Sequence, residues 1–571
     1  MNYKNYLLIA GLLFGSVELH AAFASSASTS AGVLERTIEK EYNPEVIKPK
    51  RDIPVIEVDI PEEQFDMVEG QTVHIEAIVL EGNEVIKTRK LQAITAQYEH
   101  RDLSMKDVRE LCLKLRAFYV EEGYFLARAY APVQDIKDSR LTIAILEGKL
   151  GNIVVEGNKH YPTKFVTAYF QSLQGKALHY DQFFRELLLL NDNQDLSAAA
   201  IFEKGKAFGT ADVIIKVIDH RPVHFYADVN NYGASSTSLY RIGGRLDYGN
   251  LLINGDKLRF AEVVGAPVNS LRFTDVIYTF PITKTGWSGE VAYLYTLFKV
   301  QTDRELHQHG MTMIATAKVS YALQRKRRLS TDVFLEFDYK NIKNYAQKRT
   351  QSEDLLRVFS LGTDINYYDN WKGNNYWDVV LYAGVPDFLD GLHAVDHRCS
   401  RHRAGARYYM AYGDWKRVQE LPLDFFFIFN FSGQYTRNYL PISEQFYIGG
   451  EDTVRGFPLA ELLGDCGYYV NAEFRIPPPF RNSHIFGTKR TWKETIQFVL
   501  FVDNGGVYLK RSEKDQHKQS RGFASLSAAG GGIRIYGPWH FDFSLDVGIP
   551  ISERFKSSNS ITYWKVNWNP F

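Results

Sequence analysis

The chain has 571 residues, more than one ordinary hydrophobic core accommodates, so two or more domains are expected. Lys plus Arg and Asp plus Glu each number 67, which removes the global positive field of a nucleic-acid-binding protein. Tyr (35) and Phe (37) bring the aromatic share to 14% while mean hydropathy is negative. That pairing fits strands that are apolar on one side and polar on the other better than it fits a soluble enzyme.

Lys4, the apolar stretch from Tyr6 to Val17 and the small-residue pattern Ala22-Phe23-Ala24 predict a secretory signal peptide over 1–24, and hence export. A short membrane anchor is the alternative, but the run falls below the ~20 residues of a spanning helix. Ser25 to Gly32 then reads as the mature start. Residues 25–54 divide into a short, charged helical candidate, Val33 to Glu41, and a polar connector, Tyr42 to Pro54, with Pro44, Pro49 and Pro54. A frayed N-terminal tail is the other reading of this stretch. No later run of 18 or more apolar residues occurs, which excludes a helical membrane protein and leaves a membrane barrel open.

Ile78-Val79-Leu80-Glu81-Gly82-Asn83 recurs 75 residues later as Ile153-Val154-Val155-Glu156-Gly157-Asn158. Each copy reads as a strand ending in a Gly-Asn turn, then helical segments, then another strand. In the first copy, Lys106 to Glu121 carries apolar residues at helical spacing and stops at Gly123, and Leu141 to Leu146 closes the unit. In the second, Tyr180 to Leu190 is the helix and Val213 to Ile218 the closing strand. Two small α+β modules in tandem, 75–147 and 150–220, are predicted. Their strand edges and helix grooves suit an extended peptide.

From Pro222 the period changes to two. Phe541 to Ile549, Val333 to Tyr339 and Val470 to Ile476 all alternate apolar with polar residues, and Arg241, Arg245 and Asp247 oppose Ile242, Leu246 and Tyr248. Charges recur on the inward side too often for a packed sandwich; they suit a closed barrel with a wet lumen and a lipid-facing exterior. A soluble all-β domain with one solvated face is the alternative. Residues 222–571, at ~20–24 residues per strand and turn, accommodate about 16 antiparallel strands.

Chemistry-bearing motifs are sparse. Cys112, Cys399 and Cys466 form neither a zinc site nor a disulfide framework, although Cys399 and Cys466 could pair in an oxidising compartment. His160, His179 and His220 lack metal-ligand spacing, and no P-loop, Gly-x-Ser-x-Gly or His-Glu-x-x-His motif is present. No metal, no cofactor and no enzymatic activity are therefore expected.

The most informative stretch is Gly449-Gly450-Glu451-Asp452-Thr453-Val454-Arg455-Gly456-Phe457. Glycines at both ends free the backbone, Gly449 and Gly450 as a loop hinge, and Arg455 offers a planar fork suited to a carboxylate. In the strand Phe498 to Gly506, outward Phe498, Leu500 and Val502 would turn Phe501 and Asp503 into the lumen ahead of Gly505. An inward carboxylate needs a cation, so Arg455 and Asp503 are expected to pair.

These two motifs, with Gly123-Tyr124 and Ala127-Arg128, Gly464-Asp465 and Gly467-Tyr468, and Asp228, Asn230, Asn231 and Gly233, resemble the outer-membrane transporters of two-partner secretion. That family lies within the barrel-assembly superfamily, and the resemblance covers essentially the whole mature chain. It implies a 16-stranded barrel, two periplasmic polypeptide-transport-associated (POTRA) modules and an N-terminal helix that plugs the pore. It also implies a loop, around 449–463, whose tip Val454-Arg455-Gly456-Phe457 folds in to meet Asp503. Phe457 stands where the family usually has Tyr, and the candidate plug is shorter and less apolar than the family suggests. Pro570 interrupts the C-terminal strand pattern before Phe571, leaving Trp564, Val566 and Trp568 as its outward face. The implied function is secretion of an unfolded haemolysin- or adhesin-like exoprotein, without ATP, across the outer membrane of a Gram-negative bacterium. The implied partners are that exoprotein, outer-membrane lipid and periplasmic chaperones, with no nucleic acid. A barrel assembly and insertion factor shares these features and is the alternative.

Overall fold

The computed structural model describes residues 30–42, 54–59, 72–136, 138–268, 270–300, 308–485, 490–510, 522–537, 540–552 and 560–570. The signal-peptide expectation, most of the polar connector and Phe571 lie outside them. A helix, Ala31–Tyr42, is followed by two α+β units and a closed barrel of sixteen strands. No described helix is long and apolar enough to cross a membrane.

The two units repeat one local design. In the first, the strand Ala77–Glu81 pairs in parallel with Arg140–Leu146, and in the second Lys149–Glu156 pairs in parallel with Thr210–Asp219. Gly82 and Gly157 sit at φ +84° and +88°, and a Cβ on either would lie 2.4 or 2.3 Å from a carbonyl oxygen of the closing strand. Only glycine fits there. Asn83 and Asn158 then fold back, donating to the carbonyls of Ile86 (3.1 Å) and Tyr161 (2.8 Å). The first long helix, Met105–Glu121, starts at a capping box between Ser104 and Asp107 and buries Val108, Leu111, Leu115 and Tyr119. The second, Tyr180–Asn191, buries Phe183, Phe184 and Leu187 to Leu190.

Several strands were not anticipated: Thr72–Ile75, Arg101–Ser104, Arg128–Tyr130, Leu196–Lys204 and one beside the connector. Ile56–Asp59, at the end of the connector, adds in parallel to the edge strand Leu196–Lys204 of the second unit, with Ile56 opposite Ala200 and Val58 opposite Phe202. Four residues carry too little periodicity to announce a strand.

The barrel strands run from Val223–Asn230 to Ile561–Trp568 and range from eight to twenty residues. Closure is antiparallel, Ala227 with Trp568 through Asn230 with Lys565. Among the described residues the barrel has no open edge, and each of its strands finds its backbone partners in its two neighbours. Alternation sorts the faces: Leu335, Leu361, Leu500 and Val502 are exposed outside, while Asp247, Asp275, Phe501 and Asp503 are buried inside. At one end the second unit docks through Arg325 Nε to Asp192 (2.8 Å), His224 Nε2 to Asp195 (2.6 Å) and Arg185 Nη2 to the Ala322 carbonyl (3.0 Å). At the other end the segment 385–407 and the chain leading into the inward loop, 437–441, fold over the mouth.

The suggested Cys399–Cys466 bridge does not form; all three cysteines are free thiols. Cys399 is buried in an apolar cluster with Leu392 and Tyr408, while the Cys466 thiol donates to the Thr436 carbonyl at 3.3 Å.

Candidate functional site in the barrel lumen

The loop enters the lumen on a short hairpin stem, Phe446–Ile448 paired with Leu462–Gly464. Gly449 and Gly450 follow at φ +107° and +108°, where a Cβ on Gly449 would lie 2.4 Å from the Pro458 carbonyl oxygen. The turn is held by Gly449 N to Thr453 Oγ1 (2.8 Å) and Gly450 N to the Phe457 carbonyl (3.1 Å). The pair thus forms a closed neck.

Beyond the neck, Arg455 lies against the inner wall. Its Nε and Nη2 donate to the two oxygens of Asp503 at 2.8 and 3.0 Å, and its backbone N–H donates to the same carboxylate at 3.1 Å. Nη1 reaches Glu473 at 3.0 Å and Asp546 at 3.4 Å. The guanidinium carbon sits 3.4 Å from the centre of the Phe501 ring. A planar cation is thus held bidentately at its edge and by an aromatic ring at its face, an arrangement that lysine cannot reproduce.

The surrounding charges close the network. Arg534 grips Asp546 with both terminal nitrogens, at 2.7 and 2.8 Å, and Arg475 Nε donates to Glu473 at 2.8 Å. Asn471 donates to Asp503 at 2.9 Å and to the Thr453 carbonyl of the loop. Three guanidinium groups therefore meet three carboxylates, with Asp503 fully buried and Arg455 5% exposed. Such a group is costly to desolvate and depends on every partner being present.

Neighbouring residues fit the tip sterically. Gly456, at φ +91°, packs on Gly548, and a Cβ would lie 2.9 Å from that residue's carbonyl carbon. A Cβ on Gly505 would lie 3.0 Å from Val454 Cγ2. Val454 and Phe457 are buried among Phe446, Ile448, Leu462 and Tyr469. The Phe457 ring therefore needs no hydroxyl. Tyr563 supplies one nearby, donating to the Phe457 carbonyl (2.8 Å) and accepting from Gly456 N (3.2 Å).

Glu473, Asp546, Arg534, Arg475, Asn471 and Tyr563 were not singled out from the sequence. The alternation places Asn471, Glu473 and Arg475 on one side of their strand and Asp542 and Asp546 on one side of another. Period two reports the face and not the partner across the lumen. Gly82, Asn83, Gly157 and Asn158 lie apart from this network, in the turns of the two units.

The helix Ala31–Tyr42 fills much of the remaining lumen. Leu34 and Ile38 pack on Val263, Phe273, Leu294 and Ile342 of the wall and on Leu459 of the loop, and Val33 touches Ala460 and Leu463. Ala31 N donates to Asn344 Oδ1 at 3.1 Å. A cavity of about 950 Å³ remains beside the helix, lined by Glu290, Glu336, Asp338, Asp378, Asp414 and Lys340 among others. Among the described residues, no cluster of His, Cys, Asp or Glu could hold a metal ion.

A plugged barrel with a charged inner loop and α+β modules at its entrance defines a polypeptide-transport pore of the outer membrane. The chain belongs to the family described as haemolysin secretion/activation protein ShlB/FhaC/HecB, whose profile matches residues 209–535; a ShlB-type POTRA domain profile matches 73–148. It is 21% identical over 489 residues to the heme/hemopexin transporter protein HuxB of Haemophilus influenzae, covering 84% of each chain. To the outer membrane transporter CdiB of Dickeya dadantii it is 22% identical over 556 residues, 93% of each. Among solved structures, CdiB from Escherichia coli superposes with a TM-score of 0.73 at 18% identity, covering 96% of this chain and all of that one. BamA from Haemophilus ducreyi, lacking POTRA domains 1–3, gives 0.50 at 13% identity, covering 87% and 100%.

The protein is thus a two-partner secretion transporter of the outer membrane, with its POTRA end in the periplasm. The segment 385–407 and the chain leading into the inward loop, 437–441, consequently lie at the cell surface.

Proposed function

We propose that this chain binds an unfolded exoprotein through its two periplasmic modules, 75–147 and 150–220, and passes it through the barrel lumen to the cell surface. Chaperones hold the cargo unfolded before entry, lipid surrounds the apolar exterior, and folding of the cargo outside drives export in the absence of any nucleotide motif. Arg455 is the internal latch: it fixes the loop to the wall at rest, with Gly449 and Gly450 as the hinge. The observation that carries this reading is the convergence of Asp503, Glu473 and Asp546 on one loop-borne guanidinium.

Replacing Arg455 by Ala leaves three buried carboxylates short of a cation and is expected to cut secretion by at least about tenfold, since breaking such a group costs several kcal/mol. The assay is exoprotein in the medium, alongside heat-modifiable migration of the barrel. Normal export by a folded Arg455→Ala barrel would remove the latch. The likeness to the BamA fold supports a second reading, insertion of other barrels; depletion of unrelated outer-membrane barrels on deletion of this chain would favour it.

A further inference from the structure

The second completely buried carboxylate in the loop region belongs to Asp465, at the root of the inward hairpin, and its hydrogen-bond donors are separate from those of the Arg455 network. It accepts from Arg401 Nη1 at 2.5 Å and from the backbone N–H groups of Leu440 and Lys510, each at 2.8 Å. Arg401 Nη2 donates in turn to the Lys510 carbonyl at 2.6 Å, and Lys510 Nζ donates to the carbonyls of Thr436 (3.0 Å) and Asn438 (3.1 Å). Three surface segments, containing Arg401, Leu440 and Lys510, thus converge on one side chain.

The same group touches the seat of the plug. Ser400, beside Arg401, donates to Asp354 from its N–H (2.8 Å) and hydroxyl (2.7 Å), and Ser443 donates to Asp354 at 2.9 Å. Ser443 abuts the helix so closely that a Cβ on Gly32 would lie 2.4 Å from the Ser443 Cβ. Between Gly384 and Tyr408, the covering segment buries Leu392, Ala404 and Ala406 against Leu356, Val358 and Met410. This layer lies over the mouth through which a chain leaving the lumen must pass.

We propose that Arg401 and Asp465 are positioning residues for export, forming an exit clasp that holds the surface segments closed independently of the plug helix and the Arg455 latch. The proposal rests on the lumen being the export route. An apolar seal alone would yield gradually, whereas a buried ion pair that also holds two backbone N–H groups is either made or broken. Withdrawal of the helix is therefore insufficient to open the pore; the clasp must release as well.

Cys399, a free and buried thiol two residues from Arg401, reports the state of the clasp. In full-length protein on intact cells, with Cys112 and Cys466 replaced by Ser and no cargo expressed, a membrane-impermeant maleimide is added from outside. Asp465→Asn and Arg401→Gln are expected to label Cys399 faster by on the order of tenfold or more, as follows from removing one member of a buried pair. Arg401→Lys, which keeps the charge beside Asp465 but loses the second arm to the Lys510 carbonyl, should label at a rate between the parent and Arg401→Gln. Heat-modifiable migration shows that each barrel is folded. Parent-like labelling of folded Asp465→Asn and Arg401→Gln would overturn the clasp, as would Arg401→Lys labelling as fast as Arg401→Gln. Because no cargo is present, failure of the export reading would appear separately, as unaltered secretion on blocking the lumen.

Discussion

Arg455 carries the charge, but Gly456 decides whether the charge can reach the wall. At φ +91° a side chain is already strained, and here its Cβ would press on the Gly548 backbone, which cannot rotate away. Gly456→Ala is thus expected to lift the loop tip and lower secretion about as far as Arg455→Ala, with the barrel still folded. Gly450→Ala, whose nearest obstacle is the movable Leu459 Cδ1 at 2.9 Å, should do less. Exoprotein in the medium and protease sensitivity of the loop measure both. The sequence showed Arg455 and Asp503 as candidates because each broke a local pattern, a charge among glycines and a carboxylate ending an apolar strand. Glu473 and Asp546 broke none, being ordinary inward positions of alternating strands. Arg401 was unreadable for another reason: its segment has no period, so nothing in it predicts a buried guanidinium. Arg357 is similar. It sits on the outward row with Phe359 and Leu361, a place where lipid is expected, yet the segment after Gly384 covers it. Its Nε donates to the Leu389 carbonyl at 3.0 Å, and its guanidinium stacks 3.4 Å from the centre of the Tyr339 ring.

The POTRA units show how an element-level repeat is stabilised by unequal residues. Each closing strand leads to an acid that catches backbone N–H groups after the Gly-Asn turn. Glu147 accepts from Val85 at 2.8 Å in the first unit. Asp219 accepts from Lys159, His160 and Tyr161 at 2.8–3.0 Å in the second. Burial alone would raise the Asp219 carboxyl, but these backbone donors outweigh it and hold it below the usual range. A depressed folded value means that Asp219 stabilises the unit above the ordinary carboxyl range, near pH 4, and that this contribution is lost as pH falls through the lower folded value. Asp219→Asn should therefore cost about 1–3 kcal/mol at neutral pH, with the gap from the parent closing in strong acid. Proteolysis of the second unit in the full chain, followed across pH, measures it. The repeat itself was legible because five of six residues recur, and the helices because their apolar spacing is regular. The connector strand Ile56–Asp59 was not, since its pairing is decided by the edge that Leu196–Lys204 offers rather than by its own four residues. Its position ties the connector from the lumen helix to the second module.

At the scale of the molecule, a chain with equal numbers of acidic and basic residues has an uneven lumen. Asp275, Glu290, Glu336, Asp338, Asp378 and Asp414 project from one arc of wall, with Lys340 and Lys416 among them, whereas Arg455, Arg475 and Arg534 opposite are matched by Glu473, Asp503 and Asp546. The alternation announced a polar interior, but this asymmetry depends on which strands become neighbours once the barrel closes. The helix Ala31–Tyr42 covers the acidic arc with Arg36 flanked by Glu35 and Glu39 and so brings it no net positive charge. A narrow, low-dielectric conduit whose carboxylates outnumber its lysines concentrates cations and repels anions. With residues 31–42 deleted and the exit opened by Asp465→Asn, current across a planar bilayer under a potassium chloride gradient should reverse on the cation-selective side. Combining Glu290→Gln with Asp378→Asn should move the reversal potential toward zero, and high salt should do the same by shortening the Debye length to about 3 Å at 1 M. A reversal potential of anion-selective sign would mean that the arginine wall, and not the acidic arc, sets the field that a passing polypeptide meets.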